Sequence, residues 1–123
     1  MSHILLVGLG GALGAISRYG IDRIALIQLG STVIGTLFVN ISGSFLLGLL
    51  TGILISNSGW SESTRIFFAV GFLGSYTTFS TLSLATVQAL EKGDLQVAIL
   101  NITGSVILGL SAAFIGILIG KMI

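Results

Sequence analysis

Gly71-Phe72-Leu73-Gly74-Ser75-Tyr76-Thr77-Thr78-Phe79-Ser80-Thr81-Leu82-Ser83 lies inside a charge-free stretch, residues 66–90, that is long enough to cross a bilayer. Yet Gly74 followed by a run crowded with hydroxyls makes a poor membrane helix and a good place for a break. Non-helical backbone at membrane depth is tolerated only inside protein or beside water. A break at mid-span exposes carbonyls that bind a cation and, at the following half-helix, amides that favour an anion. Beyond it Phe79, Ser80, Ser83 and Thr86 recur at helical spacing, so an aromatic edge and a ladder of hydroxyls share neighbouring faces.

The chain around this segment is uniformly apolar. Of 123 residues, 54% are hydrophobic and 7% charged, and the mean hydropathy is +1.12, against roughly 25% charged residues in a soluble domain. Residues 1–17, 24–61 and 95–120 are charge-free as well. The spans read as helices at about 3–26, 31–56, 63–91 and 95–121. They form one four-helix transmembrane domain over residues 1–123, joined by the polar connectors Gln28–Ser31, Ser56–Glu62 and Glu91–Asp94. The start, Met1-Ser2-His3-Ile4, lacks the positive region of a secretory signal, which predicts a retained first helix. With no Cys there is no disulfide or thiolate site. A net charge of +1 leaves no basic patch for nucleic acid.

Lys and Arg hardly differ between the two sides. Arg65 and Lys121 share one face; Arg23 and Lys92, with Arg18 if it reaches that surface, share the other. Such a chain can insert both ways, and two copies in opposite orientations can pair as an antiparallel dimer. Gly10 and Gly14, Gly48 and Gly52, and Gly116 and Gly120 have the spacing that lets helix backbones approach, within one subunit or between subunits.

Some motifs mislead. Gly8-Leu9-Gly10-Gly11-Ala12-Leu13-Gly14 looks like a dinucleotide loop, but the third glycine of that pattern falls on Leu13 and no strand precedes it. Asn40-Ile41-Ser42 and Asn101-Ile102-Thr103 fit a glycosylation sequon yet lie inside spans. A mid-membrane Asn is costly unless its amide is paired or faces a wet cavity, so each serves either as interhelical glue or as a functional group. Arg18 and Asp22 are placed for an i,i+4 pair. Asp22, Glu62, Glu91 and Asp94 all sit near span ends, so no mid-membrane carboxylate is available for proton-coupled export of organic cations. Neutral donors remain, suited to an anion or a small neutral solute.

Gly-rich helix 1 ending in Arg18, Gly35-Thr36-Leu37-Phe38-Val39-Asn40, Gly71-Phe72-Leu73-Gly74 and Thr77-Thr78-Phe79-Ser80-Thr81 together resemble the CrcB/Fluc family of small bacterial fluoride channels. The resemblance covers essentially the whole chain. It implies an all-α, antiparallel, dual-topology dimer with two pores, multi-pass in the bacterial cytoplasmic membrane. It further implies that Gly74 and Thr77 offer backbone carbonyls to a central, structural Na⁺, and that Asn40, Phe79, Ser80, Thr36 and Ser105 line the fluoride pathway. Fluoride export through such a pore is passive and needs no catalytic residue.

Two positions depart from the family pattern. The second pore phenylalanine is Leu82, and a glutamate often found three residues further is Ala85. Family pores draw their two rings from different subunits, so a homodimer of this chain lacks one ring in both pores. Either Leu82 is tolerated, or the chain is one half of a heterodimer with a sister subunit. Two competing readings stand beside the channel: a structural subunit whose own pore has decayed, and a small multidrug-type exporter, which shares length and charge balance but would need a mid-helix 1 Glu that is absent. Leu82→Phe tests the first departure. If the missing ring limits conduction, the variant raises fluoride flux; unchanged flux shows that it does not.

Overall fold

A computed structural model describes residues 1–57 and 59–123; Ser58 of the second connector lies outside the described residues. Four helices are long and apolar enough to cross a membrane: His3–Leu29, Thr32–Ser56, Glu62–Glu91 and Leu95–Met122. The first two are α1 (His3–Leu29) and α2 (Thr32–Ser56). The third span is composite: α3 (Glu62–Arg65), a π-helical run Ile66–Leu73, α4 (Gly74–Tyr76) and α5 (Phe79–Glu91). The fourth is α6 (Leu95–Met122).

Serine hydroxyls start three of these helices. Ser2, Ser31 and Ser61 accept the amides of Leu5, Val33 and Thr64, donors that have no partner in a helix's first turn. α1 runs through Gln28 and Leu29, beyond the expected end near residue 26, because neither residue opposes a helix. Gly30, at φ 68°, ends it in the left-handed conformation that a side chain disfavours. Within the third span, Thr77 (φ −78°, ψ 156°) and Thr78 (φ −150°, ψ 119°) are extended, so α4 and α5 do not share one hydrogen-bond ladder.

Between lipid-exposed helices the hydrophobic effect offers little drive, and close packing of small residues takes its place. α2 and α6 lie backbone against backbone. A Cβ on Gly48 would strike the Ala113 carbonyl, one on Gly52 the Ile117 carbonyl, one on Gly116 the Phe45 carbonyl and one on Gly120 the Leu49 carbonyl. Gly10 and Gly14 of α1 seat the π-helical run in the same way, against the carbonyls of Phe67 and Phe72. All three small-residue pairs read from the sequence therefore pack within one chain. The apolar core is small: Val39, Leu73 and Tyr76, with Ile21 and Phe72 against them. Phe72 and Tyr76 stack with centroids 5.8 Å apart, and the Tyr76 hydroxyl lies 3.0 Å from Ser42 Oγ.

Gly116→Ala and Gly104→Ala separate seam glycines from the rest. Nothing lies within 4 Å of a Cβ at Gly104. Gly116→Ala must push two backbones apart and is expected to cost about 1–3 kcal/mol, while Gly104→Ala is neutral or slightly stabilising. Unfolding of both variants in mixed micelles checks this.

Candidate functional site

The extended pair Thr77–Thr78 frees peptide groups that a continuous helix would have bonded; most of them find a partner elsewhere, and two carbonyls do not. The Leu73 carbonyl accepts Thr77 N–H and Thr77 Oγ1–H, both at 3.1 Å. The Ser75 carbonyl accepts Arg18 Nε–H at 3.3 Å. Thr78 N–H donates to Asn40 Oδ1 at 2.8 Å, and Asn40 Nδ2–H donates back to the Thr78 carbonyl at 3.0 Å. Thr81 N–H donates to Thr78 Oγ1 at 3.2 Å, capping α5. The donors that would have reached Gly74 and Thr77 carbonyls in a helix, Thr78 and Thr81 N–H, are thus spent elsewhere. Among the described residues those two carbonyls accept no hydrogen bond. The Asn40 amide is oriented by its two bonds, leaving one Nδ2 hydrogen uncommitted.

That side chain lines a groove of about 310 Å³ walled by α2, the interruption with the start of α5, and α6. Four of the six pathway residues expected from the sequence meet there: Asn40, Phe79, Leu82 and Ser105. Thr77, expected as a cation ligand, also lines it, and so do Gly43 and Ser44, which the sequence reading missed. Phe79 is 77% exposed, its ring standing outward at the groove, whereas Leu82 is 5% exposed and turned inward. Ser80 lies outside the lining, exposed, with its hydroxyl 3.3 Å from Thr78 Oγ1. Thr36 lies one turn before Asn40, 1% exposed, and its Oγ1 has no partner among the described residues. No charged side chain lines the groove. A cavity of similar size beside Trp60, between α2 and the π-helical run, is apolar throughout and offers an ion nothing.

Polar groups continue from the groove toward the other end of α5. Asn101 Nδ2–H donates to Thr86 Oγ1 at 3.0 Å, so Asn101 does bridge two helices. Its Oδ1 and the Ser105 Oγ, one turn apart on α6, are buried without a partner among the described residues. Further toward that end, Thr32 of α2, Gln88 of α5 and Val97 of α6, with the charged Lys92 and Asp94 of the third connector, line a second polar cavity of about 260 Å³. Thr36 and Asn101 therefore sit between two polar cavities. Buried donors and acceptors left unpaired are costly, and Thr36 Oγ1, Asn101 Oδ1 and Ser105 Oγ are three such atoms among the described residues.

The Arg18–Asp22 pair does not form. Arg18 turns instead to the Ser75 carbonyl, and Asp22 Oδ1 is buried beside Gly35 with no partner among the described residues. The interruption offers Arg18 a free acceptor 57 positions away in sequence, a contact to which helical spacing is blind.

The chain matches the family model described as CrcB-like protein, Camphor Resistance (CrcB), over residues 5–117. A Rhizobium meliloti protein named as a fluoride-specific ion channel is 44% identical, over 95% of this chain and 94% of its own length. A Thermus thermophilus protein of the same name is 47% identical over 98% of this chain and 96% of its own. One from Dehalococcoides mccartyi is 40% identical over 100% of this chain and 95% of its own.

Thr36→Val and Thr86→Val should behave differently. The Thr36 hydroxyl has no partner among the described residues, so its loss leaves stability unchanged or higher; loss of the Thr86 hydroxyl strands the Asn101 amide at a cost of about 1–3 kcal/mol. Thermal unfolding in detergent of the two variants provides the comparison.

Proposed function

The chain belongs to the CrcB-like family, and from that premise we propose that it is a multi-pass membrane channel through which fluoride leaves the cell passively. It is a channel and not an enzyme. The observation that carries the reading is the groove beside the interrupted third span: donors without charge, open to an ion. Fluoride is small and strongly hydrated, so a pore must replace its water with compact donors that do not hold it too tightly. The uncommitted Asn40 amide hydrogen and the Ser105 hydroxyl are such donors, and the edge of the Phe79 ring carries the positive end of its quadrupole. A carboxylate in the lining would repel the anion, and a guanidinium would trap it. Fluoride enters cells as the neutral weak acid and dissociates inside, so a selective path down its gradient suffices for resistance.

The working unit in this reading is an antiparallel dimer. Phe79 stands 77% exposed, and Gly74 is exposed beside it, so a second copy can close the groove and share the interruption. The Gly74 and Thr77 carbonyls fit a Na⁺ ion: they are oxygen donors and, among the described residues, neither accepts a hydrogen bond. Bound there, Na⁺ would supply a fixed positive charge that holds two facing interruptions together. Leu82 favours a second reading, in which a sister subunit brings the missing ring.

Fluoride efflux from liposomes that hold this protein alone, followed with a fluoride electrode and set against chloride-loaded liposomes, tests the channel. Fast fluoride flux without chloride flux is expected, and silence from a folded dimer would point to the sister subunit. Asn40→Asp should abolish the flux, because a like charge about 4 Å from the ion costs about 4 kcal/mol at an effective dielectric of about 20, roughly a thousandfold in rate. Unchanged flux in that variant would remove Asn40 from the pathway.

A further inference from the structure

We propose that Asn40 is a positioning residue for the cation site: by taking the Thr78 N–H, its side chain withholds from the Gly74 carbonyl the hydrogen bond that a continuous helix would give it. The proposal rests on the reading of Gly74 and Thr77 as Na⁺ ligands, and adds what makes the first of them available. In an α-helix the amide of residue 78 bonds the carbonyl of residue 74. Here that amide points to Asn40 Oδ1 at 2.8 Å, and the same side chain holds the Thr78 carbonyl through Nδ2 at 3.0 Å.

Both halves of the amide are used. One residue's N–H and C=O are paired by one donor and one acceptor on a planar group, which keeps Thr78 in its extended conformation, φ −150° and ψ 119°. Asp carries only acceptors when ionised, and Leu carries neither group. Gly43, nearly one turn on from Asn40, helps set the approach: a Cβ there would strike the Thr77 Cγ2 methyl and come within 3.1 Å of the Tyr76 ring, so a side chain at this position would have to displace Thr77. The Thr77 carbonyl is released separately, by the Thr78 hydroxyl that caps the Thr81 amide at 3.2 Å. Two side chains therefore free two carbonyls, and Asn40 answers only for Gly74. It follows that loss of flux on substituting Asn40 does not by itself identify Asn40 as a fluoride ligand.

The test is carbonyl ¹³C solid-state NMR of the native protein in lipid, with Na⁺ replacing N-methyl-D-glucamine. Na⁺ should shift the Gly74 and Thr77 resonances and leave Ser75 and Thr78, whose carbonyls are held by Arg18 and Asn40, in place. In Asn40→Ala the Thr78 amide returns to Gly74, so the Gly74 response should weaken by roughly tenfold in apparent Na⁺ affinity, the worth of one hydrogen bond. In Asn40→Asp an acceptor for that amide remains, so the Gly74 response persists although flux is lost. A native response at Thr77 alone overturns the proposal and spares the cation reading, as does an Asn40→Ala protein whose Gly74 titrates like the native one. No response at either carbonyl of the native protein overturns both. Because the native measurement needs no variant, a failure of Asn40→Ala to fold leaves the proposal exposed to refutation.

Discussion

A peptide group inside a bilayer has no water to fall back on, and every N–H or C=O released from a helix there costs several kcal/mol until it finds a partner. The extended pair Thr77–Thr78 raises that demand at the centre of the third span. α2 answers with the Asn40 amide, α1 with the Arg18 guanidinium, and Thr78 with its own hydroxyl. The close approach that brings these groups to the interruption is made by glycines, Gly43 from α2 and Gly14 from α1. The groove exists because the interruption is held open at three points rather than allowed to close into a helix.

Much of the fold was legible because membrane spans are written in composition. Charge-free stretches about the width of a bilayer, separated by short polar connectors, leave little freedom about helix count. Gly74 and the hydroxyls after it marked where a span would be irregular, since no partner-free polar run sits quietly in lipid. The site was legible where residues lie near one another in sequence or match a family motif, as with Asn40, Phe79, Leu82 and Ser105. The illegible part was long-range choice among equivalent partners. Arg18 had Asp22 one turn away and took the Ser75 carbonyl; Asn101 had every hydroxyl of the third span to choose from and took Thr86. Helical periodicity tells which face a side chain occupies, and not which acceptor across the bundle has been left vacant.

The split between Phe79 and Leu82 follows from the same geometry. Phe79 opens α5 and is 77% exposed, whereas Leu82, one turn on and lining the same groove, is 5% exposed. An aromatic ring offered outward has little use for a lone subunit. In the antiparallel dimer proposed above, that ring would be offered to the second copy.

One face of α6 carries Asn101, Ser105, Gly109, Gly116 and Gly120 in sequence. At its C-terminal end Gly116 and Gly120 bring it against the α2 backbone; at Gly109 the nearest atom to a Cβ is Ser44 Oγ, at 3.7 Å; beyond that come two polar side chains with unpaired atoms. The seam is therefore a wedge, shut at one end by main chain and spread at the other by side chains. How far it spreads follows from which residue type stands at each turn of α6: glycine where main chain meets main chain, a polar side chain where it does not.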